Sequence, residues 1–225
     1  MAAAIRAAAA RREGEGKTKT TTRMKIADRW EEGNPLNVFV DNNLKPELME
    51  LRKAIQCEVN NIVKFGKQKQ EYIDTDKIGI IGGSYGGFMT MAAMTFMPDE
   101  FKVGVNIYGV TNWVRTLRSI PAYWESSRNQ LYKEMGNPYS KDSIRLYNIS
   151  PLFHAKNIKN PIMVLQGAND PRVLQIESDE MVKAARDSGV YVEYVLFEDA
   201  GHGFAKKQQQ IEGYGKILVF LDNYL

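Results

Sequence analysis

The sequence contains one cysteine and two histidines among its 225 residues. The single cysteine, Cys57, excludes an internal disulfide framework and is typical of a reducing compartment, so we expect a cytoplasmic protein. Cys57 lies on the apolar face of a predicted helix, which favours a packed thiol over a reactive one. These histidines and the cysteine cannot assemble a metal-binding cluster, and we expect neither a metal ion nor an organic cofactor.

Long apolar runs are also lacking. No stretch of the sequence is long and apolar enough to cross a bilayer, so no membrane partner is expected. Basic residues are concentrated at the start of the chain, where residues 1–30 hold eight Lys/Arg against three Asp/Glu. The rest of the chain is slightly acidic, and its charge therefore predicts no nucleic-acid partner.

Residues 1–25 are rich in alanine and in basic and polar side chains, and poor in large apolar ones. This composition predicts a disordered basic leader, and an Ala/Arg-rich start is also compatible with an organelle transit peptide. A secretory signal is excluded because its apolar central segment is missing. The remaining residues, 26–225, are enough for one domain with a substantial core.

Strand-like and helix-like segments alternate along this domain. Short apolar runs predict strands at 78–81, 101–108, 161–166 and 192–197. Apolar spacings of three and four, with the expected end signals, predict helices at 46–65, 88–97, 174–187 and 207–225. The alternation predicts an α/β fold, with a mostly parallel sheet covered by helices on both faces. Two stretches are less regular: 36–41 is a weak candidate strand, and the aromatic-rich stretch 111–150 resembles an insertion or lid over a pocket.

Ser84 stands in the sequence GGSYGG, between a predicted buried strand and a predicted helix. Strand, tight turn and helix around G-x-S-x-G are typical of a nucleophile elbow, in which the serine hydroxyl stands clear of a strained turn. Gly82 and Gly86 flank the serine where any Cβ would collide. The backbone N–H of Tyr85 then points towards a developing oxyanion. The alternative is an ordinary glycine-rich turn that binds phosphate.

A serine hydroxyl needs a base, and the base needs an orienting acid. His202 lies in a loop directly after a predicted strand, whereas His154 has no strand before it, so His202 is the predicted base. Asp170 follows the preceding predicted strand and is the predicted acid, because the carboxyl ends of parallel strands meet at one edge of a sheet. The alternatives are that Asp170 only forms an Asn-Asp-Pro turn, or that Asp199 is the acid. The chain order Ser, Asp, His is that of α/β-hydrolases.

Several separate motifs resemble the C-terminal catalytic domain of the prolyl oligopeptidase family, particularly its acylaminoacyl-peptidase and dipeptidyl-peptidase-like branch. They are GGSYGG, NIYGVTNW, IPAYWES, SPLFHA, NPIMVLQGANDPRV with the ESDEMV that follows it, and VEYVLFEDAGHGF. The resemblance covers about residues 48–225. It implies an α/β-hydrolase domain and a serine peptidase that hydrolyses short peptides or acyl-peptides through an acyl-enzyme.

The same resemblance implies site residues. Ser84 would be the nucleophile, Asp170 the acid and His202 the base. Val173 and Trp113, together with Tyr85, would line the pocket for the residue before the scissile bond.

The sequence departs from the family pattern ahead of the elbow, where family members place several strands and usually a β-propeller. With the N-terminal strands missing, the elbow strand would have an unpaired edge, which the segment 36–41 could cover or through which a homo-oligomer could form. A second oxyanion donor, which the family draws from that region, is also missing. Two alternatives therefore stay open: an esterase or thioesterase of the same fold, and an inactive truncated remnant.

Overall fold

The computed structural model describes residue 74, residues 76–225 and the backbone of Arg6–Ala9. The predicted strand 36–41 and the predicted helix 46–65, with Cys57, lie outside the described residues.

The described strands form one five-stranded sheet in the order β1-β2-β3-β4-β5. Their bounds are Arg6–Ala9 (β1), Ile78–Gly83 (β2), Val103–Ile107 (β3), Ile162–Gly167 (β4) and Val192–Phe197 (β5). Each neighbouring pair from β2 to β5 is parallel, and β1 pairs antiparallel with β2. The prediction of a mostly parallel sheet is confirmed.

Six α-helices and two 3₁₀ turns are present in the described residues. The helices are Tyr85–Phe96 (α1), Trp113–Arg118 (α2), Arg128–Met135 (α3), Asp142–Ile149 (α4), Gln175–Asp187 (α5) and Lys207–Tyr224 (α6), and the 3₁₀ turns are Ala122–Ser127 and Pro151–Asn157. The three predicted helices that fall in this region are confirmed as α1, α5 and α6. None of the helices in the described part of the chain is both long and apolar enough to cross a membrane.

The stretch 111–150 is more regular than its sequence predicted. It contains the three short helices α2, α3 and α4. Leu146 and Ile149 on α4 are buried in the main apolar core. Short helices that are polar on most of their surface give only a weak periodic signal, which is why the pattern suggested irregular structure.

Helices cover the sheet on both faces, as predicted. Along β4, Ile162 and Val164 belong to the apolar cluster that includes residues of α1 and α5, whereas Met163 and Leu165 belong to the cluster that includes residues of α6. Alternate residues of a strand point to opposite faces, so one strand contributes to both cores. Each of these side chains is fully buried, and such burial contributes roughly 1.5–3 kcal/mol per side chain.

The outer edge of β2 is paired with β1, which lies in the predicted leader. Strand β1 lies along this edge, with Arg6 opposite Ile81 and Ala9 opposite Ile78. Because β1 falls within the predicted leader 1–25, the structure differs from that prediction at these four residues. An edge strand needs only backbone N–H and C=O groups for its pairing, so an alanine-rich segment can supply it.

Candidate active site

Ser84 occupies the sharp turn between β2 and α1, with a φ of 56° and a ψ of −120°. A positive φ is uncommon for a residue with a side chain and marks local strain. The turn closes tightly, since a Cβ at Gly82 would lie 2.2 Å from the carbonyl oxygen of Gly86. The strand, the strained serine and the helix therefore have the predicted elbow geometry.

Three side chains meet at this turn in a continuous chain of hydrogen bonds. Ser84 Oγ lies 2.8 Å from His202 Nε2. On the other side of the ring, His202 Nδ1 lies 2.7 Å from Asp170 Oδ2. A carboxylate can accept hydrogen bonds but cannot donate them. In the neutral imidazole the one ring proton therefore lies on Nδ1, and Nε2 is left to accept the proton of the serine hydroxyl.

The Asp170 carboxylate is buried and firmly held. Its second oxygen, Oδ1, accepts from the backbone N–H groups of Arg172 at 2.8 Å and Val173 at 3.0 Å. Asp170 therefore also has the turn-forming role that the sequence left open as an alternative, because it accepts hydrogen bonds from its own loop and from the imidazole at the same time. The loop bonds fix the carboxylate in the orientation that His202 requires.

The loops that carry Asp170 and His202 are joined to each other. The backbone N–H of Asn169 donates to Ala200 O at 2.9 Å, and its side-chain amide donates to Glu198 O at 2.7 Å. The backbones approach so closely that a Cβ at Gly167 would lie 2.4 Å from the carbonyl oxygen of Gly201. Adjacent parallel strands, β4 and β5, deliver these loops to one edge of the sheet.

The two competing residues lie elsewhere. The carboxylate of Asp199 pairs with the Lys206 ammonium and accepts from Gln209 Nε2 at 2.6 Å. The hydrogen bond from Lys206 lowers the pKa of Asp199. His154 Nε2 lies 2.7 Å from the carbonyl oxygen of Asn148, and its ring packs on Phe96. The structure brings Ser84, His202 and Asp170 together and leaves Asp199 and His154 out of the chain of hydrogen bonds.

The predicted pocket residues lie beside the elbow. The rings of Tyr85 and Trp113 lie 6.0 Å apart, and both pack on Phe88. Burial raises the pKa of Tyr85 to about 12, so its phenol is neutral at physiological pH. Val173 is buried in the acid loop and belongs to the same apolar cluster as Trp113. The backbone N–H of Tyr85 belongs to the first turn of α1, where amide groups have no partner within the helix.

Glu177 is a buried charged residue near the site that sequence reasoning missed. It lies on α5 with 1% of its surface exposed. Its Oε2 accepts from the backbone N–H of Thr111 at 3.1 Å and of Asn112 at 2.6 Å. Burial raises the pKa of Glu177, and the hydrogen bonds from Thr111 and Asn112 and the charge of Arg115 oppose that effect. The carboxylate thereby joins α5 to the segment that leads into Trp113.

Tyr108, the residue that follows β3, was also missed. Its ring packs against the His202 ring, with centroids 4.8 Å apart. A sequence signal for it existed, because it is the last residue of a predicted strand, at the same edge as the other three side chains. Glu177 had no such signal, since it looks like any charged residue in the first turn of a helix.

The chain is similar to a known family of proteins. The sequence model of the prolyl oligopeptidase family matches residues 57–225. Dipeptidyl peptidase family member 6 from Caenorhabditis elegans is 39% identical over 178 residues, which are 78% of this chain and 24% of that protein. Dipeptidyl aminopeptidase BIII from Pseudoxanthomonas mexicana is 47% identical over 141 residues, 62% of this chain and 20% of that protein.

A solved structure supports the fold. The uncomplexed acylaminoacyl peptidase of Pyrococcus horikoshii is similar with a TM-score of 0.65 and 28% identity, over 76% of this chain and 28% of that one. The predicted α/β-hydrolase fold is confirmed. The chain spans a quarter or less of the length of the two curated relatives.

Proposed function

The chain belongs to the prolyl oligopeptidase family, and from this membership we propose that it is a serine peptidase acting through Ser84, His202 and Asp170. The observation that carries the proposal is the pair of hydrogen bonds, 2.8 and 2.7 Å long, that joins the three side chains. Hydrogen-bond contact of nucleophile with base, and of base with an orienting acid, is the arrangement that activates a serine.

The proposed reaction has two halves. In the first, Ser84 Oγ attacks the peptide carbonyl carbon while His202 Nε2 takes the hydroxyl proton, and the backbone N–H of Tyr85 donates to the developing oxyanion. The C–N bond then breaks, the imidazolium gives its proton to the leaving amine, and an acyl-enzyme remains on Ser84. In the second half, His202 Nε2 takes a proton from water while the water oxygen attacks the acyl carbon. The bond between the acyl carbon and Ser84 Oγ then breaks, the imidazolium gives its proton to Oγ, and the acid is released.

Asp170 serves this cycle without giving up or taking a proton. Its hydrogen bond holds Nδ1–H towards the carboxylate, so that Nε2 faces the serine in the accepting tautomer. The negative charge of the carboxylate also stabilises the imidazolium that forms after each proton transfer. Burial of Asp170 keeps water from competing for this bond.

The proposed substrates are short peptides or acyl-peptides. The relatives are named for dipeptidyl and acylaminoacyl groups, which is the support for this substrate class. We assign Tyr85, Trp113 and Val173 to the pocket for the residue before the scissile bond. The two rings pack on each other, and the buried Val173 belongs to the same apolar cluster as Trp113, which favours an apolar side chain in this pocket.

Turnover of matched chromogenic substrates tests the proposal. Acyl-amino-acid and dipeptidyl p-nitroanilides should be hydrolysed by the full chain, and Ser84→Ala should lower kcat by about 10⁶-fold. Mass spectrometry of a quenched reaction should place the acyl group on the peptide that contains Ser84.

The same assay separates the alternatives. Hydrolysis of p-nitrophenyl esters without any hydrolysis of the anilides would indicate an esterase and contradict the peptidase proposal. A folded, monodisperse protein that hydrolyses neither would indicate an inactive remnant.

A further inference from the structure

Tyr108 has a backbone conformation that residues with side chains rarely adopt. Among the described residues, the two non-glycine residues with positive φ are Ser84, at 56°, and Tyr108, at 42°. Such a conformation costs free energy for a bulky residue and persists where the surroundings hold it in place. At Tyr108 the backbone N–H donates to Leu165 O at 2.7 Å, which fixes the turn after β3.

This turn places the Tyr108 ring against the imidazole. The two ring centroids lie 4.8 Å apart and the planes are tilted by 57°. Tyr108 also packs edge-on against Phe204, with centroids 5.5 Å apart, and Phe204 packs on Phe197 of β5 at 4.7 Å. Successive ring contacts therefore connect His202 through Tyr108 and Phe204 to Phe197 in the sheet.

Tyr108 also reaches the strand that delivers the serine. A Cβ at Gly83, the residue before Ser84, would lie 3.4 Å from Cε2 of Tyr108. The ring thus touches the His202 imidazole and lies beside the last residue of β2. The tyrosine therefore restricts movement of the imidazole towards the side that the ring occupies.

The phenol acts as a neutral ring. Burial raises the pKa of Tyr108, and electrostatic interactions with Tyr214 and Asp170 raise it further. Ionisation at physiological pH is thereby disfavoured, so the contact with His202 is a packing contact between two tilted rings. Pairs of this kind contribute through geometry as well as burial.

We propose that Tyr108 is a positioning residue, which holds the His202 ring so that Nε2 faces Ser84 while Nδ1 faces Asp170. This inference rests on the proposed function, since it assigns Tyr108 a role in the same set of three hydrogen-bonded side chains. It also explains the strained turn: the backbone at Tyr108 is held in a rare conformation at the one point where the ring meets the predicted base.

The test removes the ring without disturbing the backbone. Glycine adopts positive φ freely, so Tyr108→Gly deletes the ring without straining the folded backbone, and Tyr108→Asn is a second ring-free variant that tolerates this conformation. Tyr108→Phe keeps the ring. Tyr191→Gly is the matched control, because Tyr191 is an exposed tyrosine next to the opposite end of β5.

Two rates are measured on folded protein: kcat with a p-nitroanilide, and the rate of covalent labelling by a fluorophosphonate, which reports activation of Ser84. Loss of one aromatic contact should lower both by about 3- to 10-fold in Tyr108→Gly and Tyr108→Asn, with KM unchanged. Tyr108→Phe should retain most of both rates, and Tyr191→Gly should match the wild type.

The outcomes separate the two proposals. Equal labelling and kcat in wild type and Tyr108→Gly would overturn the positioning role alone, as would a Phe variant as impaired as the Gly variant. Absence of labelling in the wild type would overturn the proposed function, and this role with it.

Discussion

At the scale of single residues, the proposed mechanism depends on which carboxylate orients His202. Asp170 and Asp199 both precede the histidine, but of these two carboxylates it is Asp170 that is hydrogen-bonded to the ring, whereas Asp199 pairs with Lys206 and Gln209. Replacing the acid by its amide keeps the shape and allows the wrong imidazole tautomer, which lowered kcat by about 10⁴-fold in the serine protease for which it was measured.

Asp170→Asn should therefore lower kcat by about 10⁴-fold, with a smaller change in KM. Asp199→Asn is the matched control, because its carboxylate pairs with the exposed Lys206, and it should change kcat less than about twofold. Steady-state kinetics with one p-nitroanilide measure both. A large loss in the Asp199 variant with little in the Asp170 variant would mean that the acid is misassigned.

Glu177 provides a residue-scale test of buried charge. Burial raises the pKa of Glu177 above its ordinary value of 4.5. The folded state then binds a proton more tightly than the unfolded state, so this group loses stabilising effect as pH rises from 4.5 through its folded pKa. A glutamine has no such titration.

The difference in free energy of unfolding between Glu177→Gln and wild type should consequently move in favour of the variant as pH rises above about 4.5. Urea unfolding at several pH values measures this difference. Glu180→Gln, a carboxylate on the same helix with 39% of its side chain exposed, controls for loss of charge alone. A difference that is flat, or that moves in favour of wild type with rising pH, would contradict the assigned burial effect.

At the scale of elements, the site depends on loops that follow adjacent parallel strands. Gly167 ends β4 where its backbone meets the loop after β5, and a Cβ there would lie 2.4 Å from Gly201 O and 2.6 Å from Ala200 O. Both contacts are with backbone, which cannot rotate away. A methyl group must therefore push the acid loop and the base loop apart.

Gly167→Ala should reduce the free energy of unfolding by about 1–3 kcal/mol and kcat by more than about tenfold. Gly215→Ala is the matched control: that glycine lies within α6 with no atom within 4 Å of the added methyl, and alanine there should stabilise by about 0.5–1 kcal/mol. Urea unfolding and p-nitroanilide kinetics measure both variants. Wild-type kcat in Gly167→Ala would show that the loop contact does not hold the site.

Elements also show how far the sequence could predict the structure. The strands β2 to β5 were predictable because a strand buried on both faces is a short apolar run, and the loops after them carry the site residues. The start of α1 at Tyr85 was missed by three residues, since Gly86 and Gly87 are poor helix formers. The strand β1 could not be predicted, because its pairing uses backbone groups that every residue carries.

The site shows the same division. Ser84, Asp170 and His202 were predictable because each follows a strand and has a residue type that the chemistry needs. The ring contact of Tyr108 depends on a positive φ that has no signature in a tyrosine. The bonds of Glu177 depend on the distance between α5 and residues 111–112, which are far apart in sequence.

At the scale of the whole molecule, β1 is the edge strand that pairs with β2, the strand that leads into the elbow. Removal of residues 1–10 would leave the backbone groups of β2 unpaired along an apolar edge, which is a template for pairing with another chain. The truncated protein should therefore form larger species that increase with concentration, measured by size exclusion with light scattering. A deletion of residues 11–20 keeps β1 and serves as the control. Identical profiles for both deletions and the full chain would contradict a role for β1 in covering the edge.

The central proposal for the molecule is that a chain spanning a quarter or less of the length of its two curated relatives still activates Ser84 through His202 and Asp170. Covalent labelling by a fluorophosphonate tests it most directly, because the probe reacts with an activated serine and needs no knowledge of the substrate. Circular dichroism and size exclusion first establish that each sample is folded and monodisperse. We expect labelling of the wild type at Ser84 and a labelling rate at least about 10³-fold lower in His202→Gln. We expect no labelling in Ser84→Ala or in heat-denatured wild type. A folded wild type that fails to label, or labelling that persists in Ser84→Ala, would contradict it.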